Sequence, residues 1–192
     1  MSKMLAEIRE QPVALERTLR GGLRAAAGLA RAAAVRRPKL ILLAARGTSD
    51  NAAQFGRYLI EITTRIPVSL AAPSILTLYQ CPLDLRDVLV VGISQSGEST
   101  DTNAVLEDAR ARGALTVGIT NESESTMART AEFVIAARAG REQSVAATKT
   151  YSCQLMALYL LAAALGEALP GVISWDVVSK ELNPWHVSWA NC

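Results

Sequence analysis

Asp87-Val88-Leu89-Val90-Val91-Gly92-Ile93 runs straight into Ser94-Gln95-Ser96-Gly97-Glu98-Ser99-Thr100-Asp101-Thr102, and Ala104 to Arg112 follows with helical spacing. The first segment is a continuous apolar run, the pattern of a strand covered on both faces. The second places five hydroxyl side chains within nine residues. A polar turn between the end of a buried parallel strand and a helix N-terminus has the makings of a phosphate cradle, because backbone N–H groups and the positive end of the helix dipole converge there. Helix capping is the simpler use of such residues, and Ser99, Thr100 or Asp101 would serve. A cap needs one side-chain oxygen, however, and each further hydroxyl, if buried without a partner, would cost about 1–3 kcal/mol. An external anion is therefore the expected partner. The loop holds no Lys or Arg, so hydroxyls, N–H groups and the dipole would have to recognise it.

Outward from this loop, apolar runs alternate with helical stretches. Leu40–Ala44, Val68–Ala71, Val88–Ile93, Leu115–Ile119 and Phe133–Ile135 read as five strands. Helices are expected over about Asn51–Thr64, from Ala104 to about Arg112, and over about Thr148–Leu165, with a leading Ala/Leu/Arg-rich helix over residues 12–36. Pro12 falls near the first turn of that leading helix, where a missing N–H costs little, and Pro38 closes the segment. Strands separated by long helices imply βαβ crossovers. The expected fold is α/β, a three-layer doubly wound sandwich around a parallel sheet with a leading N-terminal helix. In such sheets ligands bind beyond the carboxyl ends of the strands, where connections diverge.

Composition narrows the function class. The 192 residues include 20 basic and 18 acidic side chains for a net charge of +2, with no single-sign block. Nothing there points to a nucleic-acid partner. Cys81, Cys153 and Cys192 are odd in number and unpaired by spacing, so a disulfide framework is not expected and a reducing, cytoplasmic setting is. The one histidine, His186, gives no basis for a metal site, and no cofactor is expected. The charged start, Met1–Gln11, lacks the apolar stretch of a secretory signal. The uncharged run Thr150–Gly166 is slightly short for a membrane span and carries Ser152, Cys153 and Gln154, so a buried helix is expected and no membrane partner.

Two further loops fall at expected strand ends. In Arg46-Gly47-Thr48-Ser49-Asp50-Asn51, Gly47 permits close backbone approach while Thr48 and Ser49 bring hydroxyls to the next helix. Gly140-Arg141-Glu142-Gln143-Ser144-Val145-Ala146-Ala147-Thr148-Lys149 opens the last long helix. Glu142 reads as an exposed loop charge, with proton transfer as the other use of a carboxylate there. Lys149 is a cation at a helix N-terminus, against the dipole, and needs a structural or ligand reason.

Ala45-Arg46-Gly47-Thr48-Ser49-Asp50-Asn51, Ser94-Gln95-Ser96-Gly97-Glu98-Ser99 and Ser144-Val145-Ala146-Ala147-Thr148-Lys149 together resemble, in order and spacing, the SIS (sugar isomerase) family. The likeness covers about residues 5–166. Within the family it extends to the first SIS domain of the isomerase half of glutamine–fructose-6-phosphate aminotransferases, and still more to free-standing two-SIS amino-sugar-phosphate isomerases and deaminases. The resemblance implies a five-stranded, flavodoxin-like parallel sheet that binds a phosphorylated hexose or hexosamine, of the fructose 6-phosphate and glucosamine 6-phosphate class. By position it implies phosphate contacts from Ser94, Gln95, Ser96 and Ser99. Gly47, Thr48 and Ser49 would meet phosphate or sugar hydroxyls, and Val145 and Ala147 would line the sugar with backbone groups. Arg46 stands where the family's synthases often carry cysteine, and Ala147 where they often carry a hydroxyl.

The same resemblance places the carboxylate base, the ring-opening histidine and a lysine of the family's isomerases in a second SIS domain and its tail. The catalytic residues of this chain are left unassigned, and a non-catalytic phosphosugar-sensing module is the alternative to an isomerase or deaminase half. The expected organisation is a leading helical segment over 1–36, an SIS phosphosugar-binding domain over 37–168, and an atypical tail over 169–192. All three tryptophans lie in that tail, which reads as a truncated, frame-shifted or appended end. A homodimer is expected, held by apolar helix faces such as Thr148–Leu165.

Overall fold

The computed structural model describes residues 2–169. Its helices are α1 (Lys3–Arg36), α2 (Thr48–Thr64), α3 (Ser74–Thr77), α4 (Thr100–Ala111), α5 (Thr126–Thr130) and α6 (Lys149–Ala168). Its strands are β1 (Leu40–Ala45), β2 (Val68–Leu70), β3 (Val88–Ser94), β4 (Leu115–Thr120) and β5 (Phe133–Ala136). The five strands form one parallel sheet in the order β2-β1-β3-β4-β5. The doubly wound architecture expected from the sequence is the one present.

Strand pleating sorts the side chains into two cores. Ile41, Leu43, Leu89, Val91, Val117 and Ile119 pack with residues of α1, α2 and α6. Ala44, Val88 and Val90 pack on the opposite face with Val105, Leu106 and Ala109 of α4 and Met127 of α5. β3 and β4 are buried at every position, and β3 accordingly runs apolar without alternation from Val88 to Ile93. On the α4/α5 side, Gly92 makes room for the helices: a Cβ there would lie 2.5 Å from Leu106 Cδ1 and 3.0 Å from Met127 Cε.

Several boundaries differ from the sequence expectation. α1 begins at Lys3, capped by Ser2, whose Oγ accepts from Leu5 N at 3.2 Å. Pro12 therefore lies inside the helix and not in its first turn. Its position on the exposed face leaves the carbonyl it deprives of a donor open to water. The added N-terminal turns are held by tertiary contacts that local pattern does not reveal: Glu7, Glu10 and Gln11 bond to residues of the 143–152 stretch. α2 starts at Thr48, ahead of the expected Asn51, so Thr48 and Ser49 are first-turn residues.

α6 supplies much of the core, as expected of a buried helix. It packs against both α1 and α2, and Cys153, Ala157, Leu158, Leu160, Leu161 and Leu165 are buried within the monomer. Tyr151, Leu155, Met156 and Tyr159 on its other side are only partly buried. α6 is long and apolar enough to cross a membrane by length and composition, with 50% of that stretch buried in the fold. Cys81 and Cys153 are free thiols, and burial pushes the Cys153 thiol above its ordinary value. The Trp-rich tail and Cys192 lie outside the described residues.

Gly92→Val should destabilise the fold by about 1–3 kcal/mol, the usual cost of overpacking a core. Urea denaturation measures it, and adding Leu106→Ala should restore part of the loss by vacating the clashing methyl.

Candidate functional site

The sheet order sets the location. The chain leaves β1 through α2 toward β2, then crosses to β3 on the other side of β1 and continues outward. The loops after β1 and β3 diverge at that point, which opens a crevice at the carboxyl ends of the strands. α6 lies beside α1 and α2 on one face, and its first turns reach the same crevice. A polar cavity of about 250 Å³ occupies it, lined by Arg46, Thr48, Ser49, Ser94, Gln95, Ser96, Val145, Ala147, Thr150, Tyr151 and Gln154.

Seven of the nine residues singled out in the sequence meet at this cavity: Thr48, Ser49, Ser94, Gln95, Ser96, Val145 and Ala147. Gly47 and Ser99 do not line it. Gly47 instead shapes the turn: it precedes the first residue of α2 with φ +60° and ψ −132°, a conformation strained for any side-chain-bearing residue. Ser99 precedes α4, and its Oγ lies 3.0 Å from Thr102 Oγ1, turned to its own helix.

The hydroxyl count of the loop after β3 is therefore divided. Ser94 Oγ accepts from Gly97 N at 3.1 Å and Ser96 Oγ from Glu98 N at 3.2 Å, folding the loop on itself. Thr100 is exposed, and Thr102 is buried against Ser99. Gly97, with φ +68°, lies so close to α5 that a Cβ would fall 2.1 Å from Ser125 Oγ. Its carbonyl accepts from Met127 N and from Asn103 Nδ2, both at 3.0 Å. Glu98 is drawn away from the cavity to the start of α5. Its carboxylate accepts from Thr126 N at 2.9 Å and Thr126 Oγ1 at 2.7 Å, bonds that hold it below the ordinary carboxylate range. The back of the loop is thus anchored to β4, α4 and α5, while Ser94, Gln95 and Ser96 face the crevice.

The loop before α6 is organised by carboxylates. Glu142 is a capping group, not the exposed loop charge expected from its surroundings. It accepts from the N–H groups of Thr148, Lys149 and Thr150 at 3.0, 3.2 and 3.1 Å, and from the hydroxyls of Thr148 and Thr150. Burial pushes its carboxyl up, but these donors outweigh burial and hold it below the ordinary value. Glu7 of α1 accepts from Ser144 Oγ, from Gln143 N at 2.5 Å and from Ser144 N at 3.1 Å, and these bonds lower it too. Lys149 has the structural reason its position demanded. Its Nζ, with only 5% of the side chain exposed, lies 2.6 Å from Glu10 Oε2 and 3.7 Å from Glu7 Oε1.

Arg46 and three residues of α6 enter the site without having been singled out as binding residues. Thr150, Tyr151 and Gln154 recur at a spacing that puts them on one side of the helix. Gln154 Nε2 donates to Ser49 Oγ at 3.0 Å in a buried contact that joins α6 to α2. Gln154 in an otherwise apolar run was the available signal. Among the described residues, the cavity lining carries no charged side chain apart from Arg46. Hydroxyls, amides and helix N-termini set its character, which suits an oxygen-rich anion.

An SIS domain model matches residues 35–164. A glutamine–fructose-6-phosphate aminotransferase (isomerizing) from Symbiobacterium thermophilum is 46% identical over 171 residues, covering 85% of this chain and 28% of that protein. Among solved structures, the C-terminal domain of glucosamine-fructose-6-phosphate aminotransferase from Francisella tularensis superposes with a TM-score of 0.83 at 28% identity, covering 96% of this chain and 52% of that one. A candidate phosphosugar isomerase from Silicibacter pomeroyi DSS-3 gives a TM-score of 0.83 at 35% identity, covering 87% of this chain and 51% of the other. The chain thus spans about half of these solved chains and 28% of the aminotransferase.

Glu142→Ala should cost about 1–2 kcal/mol, the range for a lost helix cap, read from denaturant midpoints. Glu7 and Glu142 both titrate below their ordinary value of 4.5 when folded, so their stabilisation is complete above that value and lost as pH falls through the folded one. Stability should therefore decline on acidification below about 4.5, and Glu142→Gln should flatten that decline.

Proposed function

The chain belongs to the SIS-domain family, and on that premise we propose that residues 37–168 bind a phosphorylated hexose or hexosamine as the N-terminal SIS domain of an aldose–ketose isomerase or amino-sugar-phosphate deaminase. The observation that supports this reading is the convergence of the loops after β1 and β3 with the start of α6 on one polar crevice. In it the phosphate would rest against Ser94, Gln95 and Ser96, with Thr48 and Ser49 on the neighbouring side. Val145 and Ala147 would offer backbone groups to the sugar. Ser99 would act through Thr102 and α4 by supporting the loop, and Gly47 by shaping its turn. The likeness to a glutamine–fructose-6-phosphate aminotransferase supports this substrate class.

Moving a proton between C1 and C2 of such a sugar requires a base within hydrogen-bond reach. Arg46 aside, the cavity lining among the described residues is neutral and holds neither a carboxylate nor an imidazole. That composition favours binding over turnover by this domain alone and supports a phosphosugar-sensing module as the second reading. A cytoplasmic setting fits either. We propose a homodimer as well, held by apolar helix surface: that of α1, where Met4, Leu5, Ile8 and Val13 are exposed, and the partly exposed side of α6 with Leu155 and Met156.

Isothermal titration with fructose 6-phosphate, glucosamine 6-phosphate and the unphosphorylated sugars tests the site. Both phosphosugars should bind, the free sugars should bind at least tenfold more weakly, and Ser96→Ala should weaken the phosphosugars by roughly tenfold, the worth of one hydrogen bond to a charged group. Equal affinity with and without phosphate would sink the assignment. Isomerase or deaminase turnover by the isolated chain would reject the sensing reading. Light scattering at high concentration should give twice the chain mass, and a strictly monomeric profile counts against the dimer.

A further inference from the structure

Among the described residues, Arg46 is the one charged side chain lining the crevice, and its surroundings leave it available. It follows the last residue of β1 and precedes Gly47, so the turn that starts α2 fixes its backbone at the crevice mouth. Its side chain is 65% exposed, and its Nε lies 3.7 Å from Asp101 Oδ2. That is an ion pair across the crevice, between the loop after β1 and the first turn of α4, but it is too long for a hydrogen bond. The guanidinium thus makes no hydrogen bond to Asp101, and its N–H donors can serve a ligand in the cavity it lines. Asp101 is stabilised independently by its place in the first turn of α4, where a negative charge meets the positive end of the dipole. Arg46 can leave it at small cost, since an exposed pair of this kind is worth only about 0–1 kcal/mol.

Resting on the phosphosugar reading above, we propose that Arg46 is the charge-selecting residue of this site: it pairs with Asp101 when the crevice is empty and turns to the phosphate dianion when a sugar phosphate enters. The chemistry is complementary. Ser94, Ser96, Thr48 and Ser49 offer dipoles alone, whereas a phosphate monoester carries about −1.5 to −2 charge at pH 7. A planar guanidinium supplies the compensating charge in a bidentate geometry that matches phosphate oxygens. Asp101 acts against the same ligand, both by holding Arg46 and by its own charge near the mouth. The site therefore balances a cation that admits the dianion against a carboxylate that keeps the empty crevice close to neutral.

Titration of the full chain with fructose 6-phosphate, fructose and inorganic phosphate tests this. Arg46→Gln should weaken fructose 6-phosphate and inorganic phosphate binding roughly tenfold, the scale of one charge-assisted contact. Affinity for fructose and the thermal midpoint should stay unchanged. Arg46→Lys should recover part of the loss, and the salt dependence of binding should be shallower in Arg46→Gln than in the wild type. Asp101→Asn should tighten phosphosugar binding a few-fold, and that gain should shrink in the Arg46→Gln background. If the wild type prefers phosphorylated to free fructose and Arg46→Gln keeps that preference in full, the role given to Arg46 is wrong and the phosphosugar reading stands. If the wild type shows no preference for phosphate, both fail together.

Discussion

Everything at the site depends on the reversal of strand order between β1 and β3. One connection carries the chain from β1 outward to β2, the next carries it back across β1 to β3, and the loops at that boundary cannot pack against each other. A crevice at the carboxyl ends of the strands is the geometric consequence. It places the starts of α2 and α4 side by side, both with their positive ends toward the opening. Thr48 and Ser49 on one side, with Ser94 and Ser96 on the other, are polar because that opening is where side chains leave the apolar core.

The third wall requires a long return. From β5 at the sheet edge the chain comes back between α1 and α2, and residues 140–148 make the approach. This segment has little apolar content of its own, so carboxylates from two places hold it. Glu142 ties the start of α6, Glu7 ties Gln143 and Ser144, and Glu10 with Glu7 surrounds the Lys149 ammonium. A buried lysine at a helix N-terminus is unfavourable alone, but two carboxylates delivered by α1 offset it. The first turns of α1 thereby become part of the machinery that positions Val145 and Ala147.

Hydroxyl density in the loop after β3 overstated what is offered to a ligand and understated what the loop needs for itself. Ser94 and Ser96 fold the turn while remaining at the cavity, and Ser99 and Thr102 satisfy each other. Of the two carboxylates in residues 94–102, Glu98 is bonded to the start of α5 and Asp101 pairs with Arg46. Such a loop is pre-ordered before any ligand arrives, which reduces the entropy lost on binding. Its lack of a cation is met from the loop after β1, where Arg46 stands.

The order of strands and helices, the double coverage of β3 and β4, and the motifs after β1 and β3 were legible in the sequence because each is a local property: apolar run length, period, and polar residues at strand ends. The likeness to SIS domains was legible for the same reason, since three short motifs keep their order and spacing. Tertiary structure alone decided the rest. It extended α1 back to Lys3, because the bonds from Glu7 and Glu10 join residues more than 130 positions apart. It turned Glu142 inward as a cap and set α6 between α1 and α2, because a helix face shows its period but not its partner. It brought Thr150, Tyr151, Gln154 and Arg46 to the crevice and moved Ser99 out of it. Which residues share a cavity depends on how strands and helices cross in space, and no spacing along one chain encodes that directly.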